Sequence, residues 1–186
     1  MFKKIILLIF LAASFAFEAQ AQSQQIKVEF DSAGNKILIG KINESMLAND
    51  TAFRWFYQGV NHYQPNADWI NYIRYYRDSF QVVAFVGTWC PDTKILLPEF
   101  YRVMVGAGYP LNTLNIYALD EQLHGLGDEV RMFHVTKTPT FIFLHNGKEI
   151  GRINDHIQRS MEADIVSILQ NTFNKNQQST TGNSGN

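Results

Sequence analysis

The chain has 186 residues, 16 Lys and Arg against 17 Asp and Glu for a formal net charge of −1, and a single cysteine. This near-balance, without a basic run, removes the electrostatic case for binding nucleic acid or an anionic membrane surface. One cysteine rules out an intramolecular disulfide, so an exported chain must keep its thiol buried, reactive or bonded to another molecule.

Lys3 and Lys4 precede an almost uninterrupted apolar run from Ile5 to Phe17, and Ala19-Gln20-Ala21 then offers a small-x-small cleavage pattern. The apolar stretch is short against the roughly 20 residues of a membrane span. Residues 1–21 therefore read as a secretory signal cleaved after Ala21, with a membrane anchor as the lesser alternative and no stable insertion after cleavage. No cysteine lies near the cleavage site, which excludes a lipoprotein anchor. The mature chain suits one domain of ordinary size with elaborations.

After a polar lead-in at Gln22–Gln25, Ile26 to Phe30 alternates like a strand, Asp31 to Asn35 supplies turn residues, and Lys36 to Ile39 returns as the second strand of a hairpin. Two aromatic-rich segments, Asp50 to Gln58 and Ala67 to Asp78, carry apolar residues at helical spacing. Packing against a sheet accounts for that stripe better than a binding platform does. Gln81 to Val86 reads as a strand buried on both faces. A helix is expected from about Pro91 to Val105, kinked at Pro98, then a strand at Leu114 to Leu119 and a short helix at Asp128 to Phe133. Thr140 to Leu144 and Glu149 to Ile153 form a second hairpin, and Ser160 to Phe173 a last amphipathic helix. Residues 174–186 are Asn-, Gln-, Ser-, Thr- and Gly-rich and are expected to be disordered. The order of elements predicts a three-layer α/β fold.

Chemistry concentrates at Trp89-Cys90-Pro91-Asp92-Thr93-Lys94, where a strand gives way to a helix. At a helix start, unpaired N–H groups and the positive end of the helix dipole favour a thiolate. Pro91 suits the first helical position. Thr93 can offer its hydroxyl to the sulfur, whereas the Asp92 carboxylate opposes the anion and Lys94 partly offsets it. The apolar pattern stops at Val86, so Cys90 is expected to be an exposed, reactive thiol rather than a packing residue. The five histidines show no metal-ligand spacing with Cys90. Gly125-Leu126-Gly127 has too few features for phosphate binding, and neither a peroxiredoxin pattern nor a Cys-His hydrolase signature is present.

The same hexapeptide resembles the W-C-x-x-C-K active-site motif of the thioredoxin-like family, with Thr93 in place of the second cysteine. Pro98, Asp120, Thr138-Pro139-Thr140 and Asn146-Gly147-Lys148 resemble that family's helix-kinking proline, post-strand aspartate, cis-proline loop and hairpin turn. The likeness covers residues 80–170 and implies a thioredoxin-like fold with a central mixed sheet (80–173), carrying a hairpin-and-helix N-terminal extension (22–79) of the secreted bacterial type. It implies thiol–disulfide exchange through Cys90 and Thr93, with Trp89, Pro91, Asp92, Thr138 and cis-Pro139 positioning the substrate. No cofactor or metal is implied. The partners would be a protein or small-molecule disulfide or thiol and an external thiol reductant. A bacterial periplasmic or secreted location follows from the leader. The family's buried acid and its partner lysine align with Ala84 and a residue near Ile116, so that proton relay is missing. A non-enzymatic peptide-binding module is the alternative, and a disulfide-linked homodimer through Cys90 is a third use of the thiol.

Overall fold

The computed structural model describes residues 26–181, with side chains as far as Asn174. The signal sequence expected at residues 1–21 and the end of the expected disordered tail, residues 182–186, lie outside the described residues.

The first hairpin forms as the alternation predicts: β1 (Lys27–Phe30) pairs antiparallel with β2 (Lys36–Ile42). Asn43 then caps α1 (Glu44–Ala48), accepting from the Met46 N–H. Its five residues are too few to display a helical period, which is why the sequence did not disclose it. Asp50 caps a single 3-10 turn that leads into α2 (Arg54–His62), and Asn66 caps α3 (Ala67–Tyr76) by accepting from Asp68 and Trp69. Part of that stripe is core: Phe53, Phe56, Ile70 and Ile73 are buried, Trp69 and Tyr76 are half-buried, and Tyr57 stays exposed.

β3 (Gln81–Val86) is the central strand. It pairs parallel with β4 (Asn115–Ala118) on one side and antiparallel with β5 (Thr140–His145) on the other. With β6 (Lys148–Ile153) beyond β5, the mixed six-stranded sheet has the order β1-β2-β4-β3-β5-β6. Period-2 alternation sorts the strand residues between the faces. Val82, Ala84, Val86, Ile116, Phe141 and Phe143 join the larger core under the helices. Val83, Phe85 and Ile142 join a smaller one with Val130, on the short helix α5 (Glu129–Met132), and Phe133, just after it. Ala84 sits in register with Ile116, so an apolar pair occupies the place where the family resemblance puts an acid and a lysine.

Helix α4 (Pro91–Ala107) ends at Gly108, whose φ of 66° is the left-handed conformation a helix C-terminus favours. Pro98 stands inside it and lies directly under α2: a Cβ added at Gly59 would meet the Pro98 Cβ at 2.5 Å. Because the pyrrolidine ring is rigid, Gly59→Ala should force the helices apart and lower stability by about 1–3 kcal/mol despite alanine's better helix propensity. A urea midpoint equal to wild type would contradict this.

The last helix, α6 (Met161–Thr181), runs past Asn174, where the sequence reading placed the start of disorder. Once its apolar face is packed, each added residue extends an existing hydrogen-bond ladder, and polar residues need no core of their own to follow.

Near the start of α6, buried Glu162 ties down the link between α2 and α3. It accepts from the Tyr63 hydroxyl at 2.6 Å and the Asn66 N–H at 3.0 Å. Burial pushes its carboxyl up. The bonds from Tyr63, Asn66, its own N–H and Ser160 outweigh that and hold it below the ordinary glutamate value. Neighbouring Glu99 goes the other way, raised by burial first and by the Glu162 charge second, and among the described residues its Oε2 has no hydrogen-bond partner. By linkage, Glu162 stabilises the fold above its unfolded value, and this is lost as pH falls through its folded value. Glu99 stabilises below its unfolded value, and that is lost as pH rises through its raised folded value. Glu99→Gln should therefore raise the melting temperature at about pH 7 and change it little at about pH 4, near the ordinary carboxyl range. An equal shift at both pH values would overturn the assignment.

Candidate functional site

β3 delivers the chain into a tight turn, Gly87-Thr88-Trp89-Cys90, closed by the Cys90 N–H donating to the Gly87 carbonyl at 2.9 Å. Cys90 is the N-cap of α4 with extended backbone (φ −70°, ψ 126°), and Pro91 takes the first helical position. The Lys94 N–H donates to the Cys90 carbonyl at 3.2 Å and opens the helical ladder. The local punctuation read from the sequence thus places the sulfur at a helix N-terminus.

Its surroundings differ from expectation in two respects. Cys90 is not exposed: it retains 5% of its accessible surface, and the thiol donates to the Thr138 carbonyl at 3.2 Å. The Thr138–Pro139 peptide bond is cis, and Thr138 is itself buried. The covering group comes from a loop 48 positions away, so no local pattern could have announced it. Thr93 also departs from its expected role. It is fully buried, and its Oγ1 accepts from the Gly87 N–H at 3.2 Å. Among the described residues, no hydrogen bond joins Thr93 to the Cys90 sulfur. A side chain in the first helical turn leans toward the helix N-terminus, and here that direction leads to the start of the turn. Thr93 shapes the turn that carries the thiol.

Trp89 is half-buried. Its indole Nε1 donates to the Leu119 carbonyl at 3.0 Å, and the ring lies so close over Gly87 that a Cβ there would approach it to 2.7 Å. Pro91 and Asp92 are exposed beside it. Asp120, two residues past β4, accepts from the Gln122 and His124 N–H groups at 2.9 and 2.7 Å and so folds the loop next to the Trp89 anchor.

Sequence reasoning gave no site role to Thr140, Lys137 or Thr88. Thr140 Oγ1 donates to the Lys137 carbonyl at 2.8 Å, bracing the cis-proline loop, and Lys137 pairs with Asp155 at 3.0 Å. Thr88, 2% exposed, joins the turn to β2. The Lys137 and Thr88 contacts depend on distant neighbours, whereas the Thr140 bond lies within its own loop. Beside the turn, a cleft of about 290 Å³ is lined by Phe30, Lys36, Phe53, Trp55, Thr88 and Lys94. Among the described residues, no group of three or more His, Cys, Asp or Glu is placed to hold a metal.

The family model described as Thioredoxin matches residues 62–170, more than half of the chain. The chain belongs to the thioredoxin family. The match reaches back through α3, further than the motif-bearing residues 80–170. Among curated proteins, the chain is 29% identical over 89 residues to Thioredoxin-like protein R548 of Acanthamoeba polyphaga mimivirus, covering 48% of this chain and 62% of that one. It is 31% identical over 94 residues to Thioredoxin H9 of Arabidopsis thaliana, covering 50% and 63%. The chain thus spans less than two thirds of the length of either relative. Among solved structures, thioredoxin O2 of Arabidopsis thaliana in its oxidized state aligns at 19% identity with a TM-score of 0.37, covering 57% of this chain and 84% of that one.

Proposed function

We propose that this chain is an exported thioredoxin-family protein that exchanges thiols and disulfides through Cys90 alone. The observation that carries this reading is the Cys90 sulfur at the N-terminus of a 17-residue helix, 3.2 Å from the carbonyl of the residue before cis-Pro139. The thiolate attacks one sulfur of a substrate disulfide; the new Cys90–S bond forms as the old S–S bond breaks, and the second substrate sulfur leaves as a thiolate. With Thr93 where a resolving cysteine would stand, the mixed disulfide waits for an external thiol. That thiol attacks the substrate sulfur, takes the substrate as a new disulfide and returns Cys90 as a thiolate. Trp89, Pro91, Asp92, Thr138 and Pro139 form the rim on which the substrate is held. Export to a bacterial periplasm or beyond rests on the signal-like residues 1–21.

One observation favours a second reading. The thiol donates to the Thr138 carbonyl, which engages its neutral form and occupies an acceptor that a bound peptide would otherwise use. On that reading the groove is a peptide-binding module, and Cys90 at most tethers what it holds. A disulfide-linked homodimer requires the thiol to be uncovered, and a non-reducing gel reads it directly. Incubating reduced protein with oxidised glutathione and weighing the intact chain separates the first two. One glutathionyl adduct on Cys90, removed by a small thiol, supports exchange. No adduct on the folded protein, with prompt addition after denaturation, supports the binding module.

A further inference from the structure

We infer that Thr88 is a gating residue: its hydroxyl, held by strand β2, keeps the turn that carries Cys90 seated against the covering Thr138 carbonyl. The N-terminal segment thereby sets how often the thiol opens to solvent. The inference rests on reading Cys90 as a reactive thiol.

β2 pairs with β4 only from Gly40 to Ile42. At Ala118 that pairing ends, while β4 keeps its ladder with β3 on the other edge, the Leu119 N–H donating to the Val86 carbonyl. The next stretch of that β2 edge would be left unpaired inside the protein, at a free-energy cost. The Thr88 side chain fills the gap. Its Oγ1 accepts from the Leu38 N–H at 3.1 Å and donates to the Lys36 carbonyl at 3.4 Å. One hydroxyl serves as donor and acceptor to two groups on one strand edge, as a neighbouring strand would.

Thr88 and Trp89 are the two central residues of the turn that ends at Cys90. Each is tethered by its side chain, Thr88 to β2 and Trp89 to the Leu119 carbonyl. Lys36 is fixed in turn by an ion pair with Asp50 at 2.6 Å. Strand β2, the turn and the sulfur therefore form one mechanical chain. With 5% of its surface accessible, Cys90 can meet another molecule only after local opening, and the observed rate is the opening equilibrium multiplied by the intrinsic rate. A bond made only in the closed state lowers that equilibrium.

The test measures iodoacetamide alkylation of Cys90 in the full chain. Thr88→Val keeps the shape and removes the hydroxyl; it should alkylate about fivefold faster or more, the lower end of ordinary coupling between sites. Thr88→Ser, which retains the hydroxyl, should stay within about twofold of wild type. Equal rates in wild type and Thr88→Val, including no reaction in either, overturn the inference. Should Thr88→Val fail to fold, reciprocity supplies a measurement on the wild type. An alkylated Cys90 cannot occupy the closed turn, so hydrogen exchange at the Leu38 amide must accelerate, and unchanged protection overturns the inference. Alkylation needs the accessible Cys90 thiolate but no disulfide partner. A chain that shows the gating yet forms no mixed disulfide overturns the exchange reading alone.

Discussion

Cys90→Ser is expected to reduce disulfide exchange to the rate of the substrate with buffer thiol alone, while the fold remains. The chain holds no other cysteine, so no second sulfur can take over. The serine hydroxyl can still donate toward the Thr138 carbonyl from the N-cap position, where serine is among the preferred residues. Stability should therefore change by no more than about 1 kcal/mol, the net worth of one hydrogen bond. This separation of activity from folding makes the variant informative. On the exchange reading, Cys90→Ser loses every partner that wild type retains under non-reducing conditions, because retention is covalent. On the binding-module reading, a partner held by the groove is recovered with both proteins in similar yield. Retained capture by Cys90→Ser, measured after denaturing washes are replaced by native ones, would sink the exchange reading.

The largest loss of stability is expected from Phe100→Ala. Phe100, on α4, stacks on Phe141, at the start of β5, with ring centroids 4.5 Å apart and planes 23° from parallel, and neither ring reaches solvent. Truncating such a ring removes its buried surface and leaves a cavity, for a loss of about 3–5 kcal/mol. That is a large part of the roughly 5–15 kcal/mol that holds a typical domain. The stack also has a position of consequence. α4 presents Cys90 and β5 follows directly from Pro139, so Phe100 and Phe141 clamp together the two elements that face each other across the sulfur. Phe100→Leu, which keeps much of the volume, should lose clearly less. If chemical denaturation gave Phe100→Ala a midpoint near wild type, the clamp would be misplaced.

Much of this fold was legible because its signals are local. The apolar run of Gln81–Val86, the turn residues of the two hairpins and the helical spacing around Ile70 and Ile73 each declare an element within a few residues, and each was found. What escaped was either too short for a period, as with α1 and its five residues, or lay at a boundary that packing decides. The extent of α6 is of the second kind. The family resemblance rested on six adjacent residues and four ordered motifs. Their spacing survives in the chain even though Ala84 and Ile116 have replaced the charged pair expected in the core.

The site divides along the same line. The sequence by itself determined where the thiol stands: a strand that ends at Val86 and a proline at the first helical position leave Cys90 at a helix N-terminus. Short-range sterics and backbone hydrogen bonding set that placement, and both are encoded in neighbouring residues. Only the tertiary structure decided that the thiol is covered, that Thr93 serves the Gly87 N–H rather than the sulfur, and that Thr88 belongs to β2. Cys90 meets Thr138 across 48 positions and Thr88 meets Leu38 across 50. Contacts of that reach arise when the sheet assembles and each buried polar group must find a partner, a requirement that no window of sequence displays.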